Sequence, residues 1–238
     1  MKYCRLFFFV GIVTVCAQQI AVAQKKSKKE YLVTLSTNYG DIKLILFDQT
    51  PLHKANFLKL VNQKFYDGLL FHRVIENFMI QGGDPSSRNA KAGERLGNGG
   101  SDMERIPAEF VPELFHQKGA LAAARDNNPE KKSSACQFYI VQGKVWNDDD
   151  FAKQLARPGV RPPTEQQKQI YKTLGGSPHL DGGYTVFGQA IAGLAVVDSI
   201  AKQPRDQANR PNKDVKMTMK VKKMRKKKIT RLYGYQFE

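Results

Sequence analysis

A mainly β domain, built as a closed barrel or a sandwich, is predicted for this chain from three features of its sequence. Eight short strand-like runs follow one another between loops that carry Gly and Pro. Only two segments among them show the apolar spacing of a core helix. Of 238 residues, 41% are hydrophobic and 10% aromatic, enough for a packed core and against general disorder. Counts of 19 Gly and 11 Pro exclude a collagenous or low-complexity chain. Three Cys cannot form a disulfide scaffold.

Before the first strand, Lys2 and Arg5 precede the apolar run Leu6–Ala17, and Ala21-Val22-Ala23 supplies small residues beyond it. A basic start, a short apolar stretch and an A-x-A end predict a signal peptide over 1–23, cleaved before Gln24. The run falls short of the roughly 20 apolar residues of a spanning helix. Lipidation at Cys16 is the alternative, disfavoured by the bulk of Val15. Cleavage leaves 36 basic against 22 acidic side chains, a charge of +14, with Cys136 as the remaining thiol. An exported, periplasmic and soluble protein is expected. Residues 24–30 then form a basic leader, without order until Tyr31.

Tyr31–Ser36 and Ile42–Phe47 alternate with period two around Asn38-Tyr39-Gly40-Asp41, the pattern of a hairpin. Thr50-Pro51 starts a helix with Thr as N-cap and Pro at the first helical position. Leu52, Ala55, Leu58 and Val61 mark its apolar face to about Asn62. Strands are expected at Phe71–Ile75, Phe78–Gln81, Gly119–Ala124, Gln137–Val141 and Tyr184–Gly188. Leu194, Val197 and Ala201 predict a second short helix. Val215, Met217, Met219 and Val221 alternate with Lys216, Thr218, Lys220 and Lys222, a half-exposed last strand. Residues 144–178 interrupt the strands with helical patterns. Phe151 and Leu155 share one face, and Thr164 with Gln167 forms a capping box ahead of Gly175-Gly176. This insertion is expected to flank the site as a rim or partial lid. Residues 224–238 read as a basic, solvated C-terminal tail.

Phe71-His72-Arg73-Val74-Ile75 and Phe78-Met79-Ile80-Gln81-Gly82-Gly83-Asp84 resemble the signature of the cyclophilin-type peptidyl-prolyl isomerases. Gly119–Arg125, Ser134–Ile140 and His179–Gly188 are similar to three further family segments, in family order. The resemblance covers residues 31–223. It implies a closed eight-stranded antiparallel barrel capped by two helices, with the 144–178 insertion as an addition. It also implies isomerisation of Xaa-Pro bonds, serving the folding of exported proteins.

Rotation about a peptide C–N bond costs about 18–20 kcal/mol, because resonance is lost. Raising the rate to roughly 10³ per second asks for about 7 kcal/mol of preferential transition-state binding. No bond breaks, so no metal or cofactor is called for. The resemblance makes Arg73 the catalytic group, donating to the amide nitrogen once twisting frees its lone pair. Phe78, Met79, Tyr139 and Leu180 match the proline pocket. Gln81 and Gln137 match the polar rim, and Ala124 lines the groove. Among the matched positions, Arg125 replaces the commoner Asn, Tyr184 replaces His and His179 replaces Trp. The last puts tight cyclosporin binding in doubt. Tyr139 stands for the commoner Phe, and its hydroxyl needs a partner when buried.

His72 is read as structural. His53 and His116 have no second ligand at metal-binding spacing, and Gly97-Asn98-Gly99-Gly100 follows no phosphate-loop pattern. A proline-binding module with weak catalysis is the second reading. Nucleic acid at the basic end, Lys220 to Arg231, is the third and is not expected. Unfolded or flexible proline-containing polypeptides are the expected partners. An anionic envelope surface is a further candidate for the basic end.

Overall fold

The computed structural model describes residues 27–237. The predicted signal peptide, and residues 24–26 of the leader, lie outside the described residues. No helix among the described residues is long and apolar enough to cross a membrane.

The hairpin is β1, Lys29–Thr37, and β2, Gly40–Leu46, paired from Leu32↔Ile45 to Thr37↔Gly40. Gly40 takes φ +125, so its lack of a Cβ lets the two-residue turn close. Helix α1 (Pro51–Asn62) follows, then β3 (Phe71–Ile75) and β4 (Met79–Gly82). Next come β5 (Ala120–Ala123) and β6 (Phe138–Val141). The insertion holds α2 (Asp148–Leu155) and α3 (Glu165–Thr173). The chain finishes with β7 (Val186–Ala192), α4 (Leu194–Ala201), β8 (Met217–Arg225) and α5 (Lys226–Tyr233).

All eight strands join one sheet in the order β3-β4-β6-β5-β7-β2-β1-β8, with antiparallel pairing throughout. The expected closed barrel is corrected to an open, curled sheet, a half-barrel. Its edge strands β3 and β8 share no ladder. They meet only at their starts, where Gly68 N–H donates to Met217 O, Met217 N–H to Leu69 O, and Phe71 N–H to Val215 O. Val33, Leu35, Leu44, Phe71, Ile80 and Phe138 fill the concave interior with α1 and α4.

Four local expectations change. The buried face of α1 is His53, Phe57, Leu60 and Val61, while Leu52 is 49% exposed. Thr50 makes no side-chain cap. Instead Glu109 accepts from the N–H groups of Leu52 and His53, both at 3.0 Å, and so caps α1 from a distant loop. The basic end is no solvated tail. Helix α5 buries Ile229 against Leu32 and Ile45, and Tyr233, Tyr235 and Phe237 pack around it. The leader's last residues are ordered too, since β1 starts at Lys29 and Glu30 binds Lys54 at 2.8 Å. By contrast, the Thr164–Gln167 capping box forms as its spacing predicts. Phe115, Trp146, Phe151 and Tyr171 give the insertion a small core of its own.

Candidate active site

The site lies on the outer face of the half-barrel, away from the main core. Alternation along β6 sends Phe138 and Ile140 inward and Tyr139 outward. On β3 simple alternation would bring Arg73 to the same face as Phe71. A register shift between Phe71 and Arg73, where β4 offers one fewer residue, prevents this. The bulge turns Phe71 and Val74 inward and leaves Arg73 half-exposed on the outer face. Arg73 pairs with Gln81, Gln81 with Tyr139 and Tyr139 with Ala122, so these residues form one row across four strands.

A cavity of about 110 Å³ opens on this row, lined by Arg73, Phe78, Met79, Gln81, Ala124, Arg125, Tyr139, Leu180 and Tyr184. All nine were selected from the sequence. The Arg73 Nη1 donates to Gln81 Oε1 at 3.2 Å, and Gln81 Nε2 donates to Gln137 Oε1 at 3.2 Å. Gln137 Nε2 then donates to the carbonyls of Gly97 and Gly99 at 2.8 and 2.9 Å. This chain fixes which way each amide points, and with it the guanidinium. Asp84 holds the glycine loop in place by accepting from Gly97 N–H and Ser86 N–H. Burial lowers Arg73 from its usual range, yet a guanidinium so far above neutrality stays charged. The guanidinium carbon stands 6.0 Å from the Phe78 ring centroid.

Two selected residues do not line this cavity. Gln137 belongs to a neighbouring polar groove of about 400 Å³, shared with Gln81, Ala124 and Arg125. His179 lies against Phe78, the ring centroids 5.4 Å apart and the planes tilted by 35°. Arg125 turns its side chain onto Tyr184, 4.7 Å from the ring centroid, and its Nε donates to Gly183 O at 2.8 Å. Residues 144–178 supply none of the cavity's lining, so the expected rim or lid is a buttress instead. Helix α2 packs on the Pro178–Leu180 turn that carries Leu180 to the wall.

The sequence reading missed the polar groove's far wall, Gly97–Ser101 with Arg105 and Asp126. Arg105 Nη1 donates to Asp126 Oδ1 at 2.9 Å, a pairing 21 residues apart that no spacing rule announces. It also missed His116, whose ring meets the Tyr139 hydroxyl at 2.9 Å. Burial pushes that hydroxyl well above the ordinary phenol range and keeps it protonated. Among the described residues no group of His, Cys, Asp and Glu is arranged to hold a metal ion.

His72 is 4% exposed, and neither ring nitrogen has a hydrogen-bond partner among the described residues. Burial lowers its pKa from 6.5 to about 4, with Asp84 opposing and Arg73 and Arg210 assisting. Burial likewise brings His179 to about 4 and lowers His53. The unfolded chain therefore binds more protons than the folded one between about pH 4 and 6.5. Stability is complete above pH 6.5 and falls as pH drops toward 4, by about 3 kcal/mol from His72. Urea melts at pH 7.5 and 4.5 should show this loss; equal midpoints would place these rings in contact with water.

The half-barrel thus carries, on its outer face, an arginine aligned by Gln81 beside a small cavity. Comparison with known proteins gives the family. The model of the cyclophilin type peptidyl-prolyl cis-trans isomerases matches residues 32–221. A Staphylococcus haemolyticus protein, provisionally named a peptidyl-prolyl cis-trans isomerase, is 37% identical over 187 residues, 78% of this chain and 88% of that one. A Streptococcus pyogenes protein, provisionally named a bifunctional phosphatase/peptidyl-prolyl cis-trans isomerase, is 39% identical over 189 residues. That match takes 77% of this chain but only 37% of the streptococcal one. The crystal structure of a Cryptosporidium parvum cyclophilin type isomerase superposes with a TM-score of 0.60 at 25% identity, covering 82% of this chain and 98% of that one. A second structure of the Cryptosporidium protein, in the presence of the dipeptide Ala-Pro, gives a TM-score of 0.57. The chain belongs to the cyclophilin-type peptidyl-prolyl cis-trans isomerases.

Proposed function

We propose that this chain isomerises Xaa-Pro bonds of unfolded or flexible exported polypeptides, with Arg73 as the catalytic group. The observation that carries the reading is the guanidinium, held by Gln81 and through it by Gln137, at a cavity walled by Phe78, Met79, Tyr139 and Leu180. Phe78, Met79, Tyr139 and Leu180 grip the proline ring without hydrogen bonds from it. Twisting the amide localises the nitrogen lone pair, and the fixed guanidinium donates to it. A donor already aligned by an amide chain needs no reorganisation when the charge shifts, so it favours the twisted form over either planar one. Gln81, Gln137 and the groove beside Ala124 and Arg125 receive the flanking peptide. With His179 against Phe78, where the family commonly carries Trp, cyclosporin binding is expected to be weak.

A protease-free isomerisation assay on a proline peptide tests the reading. Isomerisation completed faster than the uncatalysed tens to hundreds of seconds supports it. Binding without acceleration favours a proline-binding module instead.

Export rests on Lys2, Arg5, Leu6–Ala17 and Ala21–Ala23. Mass spectrometry of the protein from its own host should show a chain starting at Gln24. A lipid-modified Cys16 at the N-terminus would move the protein to a membrane. The exposed Lys220, Lys222, Lys223, Arg225, Lys227, Lys228 and Arg231 on β8 and α5 support a role for an anionic envelope surface as a second contact.

A further inference from the structure

Four buried polar side chains link the insertion to the floor of the cavity. Tyr171 of α3, Asp181, His116 and Tyr139 are 0%, 2%, 1% and 5% exposed. The Tyr171 hydroxyl donates to Asp181 Oδ2 at 2.7 Å. Asp181 Oδ1 accepts from the backbone N–H of His116 at 3.0 Å and from its ring Nδ1 at 2.8 Å. His116 Nε2 meets the Tyr139 hydroxyl at 2.9 Å, and the two rings lie nearly parallel, 6.0 Å apart at 12°.

Proton bookkeeping gives the chain a direction. A carboxylate only accepts, so the imidazole proton sits on Nδ1. In the neutral ring Nε2 then offers a lone pair, and Tyr139 donates to it. The one phenolic proton is thus committed away from the cavity, and the Tyr139 ring is tethered at its far end. Phe115 and Phe151 hold the other end of the chain, packing on the Tyr171 ring at 5.4 and 5.6 Å.

We propose that the insertion sets the shape of the proline pocket through this chain, with Tyr171, Asp181 and His116 acting as positioning residues for Tyr139. The inference rests on the pocket role given to Tyr139 above. A Phe at this position would need no such support. The Tyr needs an acceptor, and the acceptor is oriented by a carboxylate that the insertion's own tyrosine completes. A buried network with one member missing is worse than none, so the tether depends on every link.

The test is a double-mutant cycle read as KM against kcat. Tyr171→Phe removes one oxygen and leaves Asp181 Oδ2 unpaired. Loosening the ring weakens a grip used equally by ground and transition states, so KM for a proline peptide should rise about fivefold while kcat stays within about twofold. In the Tyr139→Phe background the tether has nothing to hold. There Tyr171→Phe should leave KM where Tyr139→Phe set it, while its loss of melting temperature persists. An unchanged KM in the single Tyr171→Phe variant overturns the proposal, as does an undiminished KM increase in the Tyr139→Phe background. Ring-nitrogen NMR of histidine-labelled wild type needs neither activity nor a variant. It should show His116 protonated at Nδ1, and protonation at Nε2 alone overturns the chain. Full activity in Arg73→Ala would instead reject the active-site reading and leave that NMR result standing.

Discussion

Arg73→Ala should lower kcat/KM for Xaa-Pro isomerisation by about 10²–10³, equivalent to roughly 2.7–4 kcal/mol, by analogy with loss of a fixed donor from an oxyanion hole. The substitution leaves Phe78, Met79, Tyr139 and Leu180 in place around the cavity, so affinity for a proline peptide should change little. Catalysis and binding therefore separate. Arg73→Lys should recover little, because an ammonium cannot keep one donor on Gln81 Oε1 while presenting another in a fixed plane. Circular dichroism must first show each variant folded. A folded Arg73→Ala protein isomerising at the wild-type rate would exclude Arg73 as the catalytic group.

Gly83→Ala should prevent folding or cost about 4 kcal/mol or more. Gly83 has φ +91, and a Cβ there would stand 2.2 Å from the Cys136 carbonyl oxygen and 3.0 Å from Gln137 Cα. Those are backbone atoms of the segment that leads Gln137 into β6, so no side chain can swing aside. Gly93 separates contact from conformation. Its φ is +79, but nothing lies within 4 Å of its added Cβ. Gly93→Ala should cost only about 1–2 kcal/mol, the penalty for a left-handed backbone alone. Equal losses of urea midpoint in the two variants would show that the close approach of Gly83 to Cys136 carries no weight.

Much of this protein was legible in its residues because the signals are local. Period-two alternation marked the strands, and Thr164 with Gln167 marked the start of α3. The resemblance around Phe71–Asp84 and three further segments identified the nine residues that line the cavity. Such signals act between neighbours in the chain, through the pleat of a strand or the first turn of a helix. They do not say how far a sheet curls, so the closed barrel was expected where β3 and β8 meet only at their starts.

Tertiary structure alone decided the rest, wherever a group found its partner far along the chain. Thr50 looks like a cap, but Glu109 is the residue that reaches the N–H groups of Leu52 and His53. The charge of residues 224–238 reads as solvated. Yet Ile229, Tyr233, Tyr235 and Phe237 recur too sparsely to mark a face until Leu32 and Ile45 supply the surface they cover. Tyr139 announced an unmet hydroxyl, and its partner His116 stands 23 residues earlier, oriented by Asp181 65 residues beyond that. Even Arg73, the residue most plainly marked by its motif, faces the cavity because β3 carries one residue more than β4 beside it. Residue type and spacing chose the chemistry; strand register and long-range hydrogen bonding, which depend on where distant segments come to rest, aimed it.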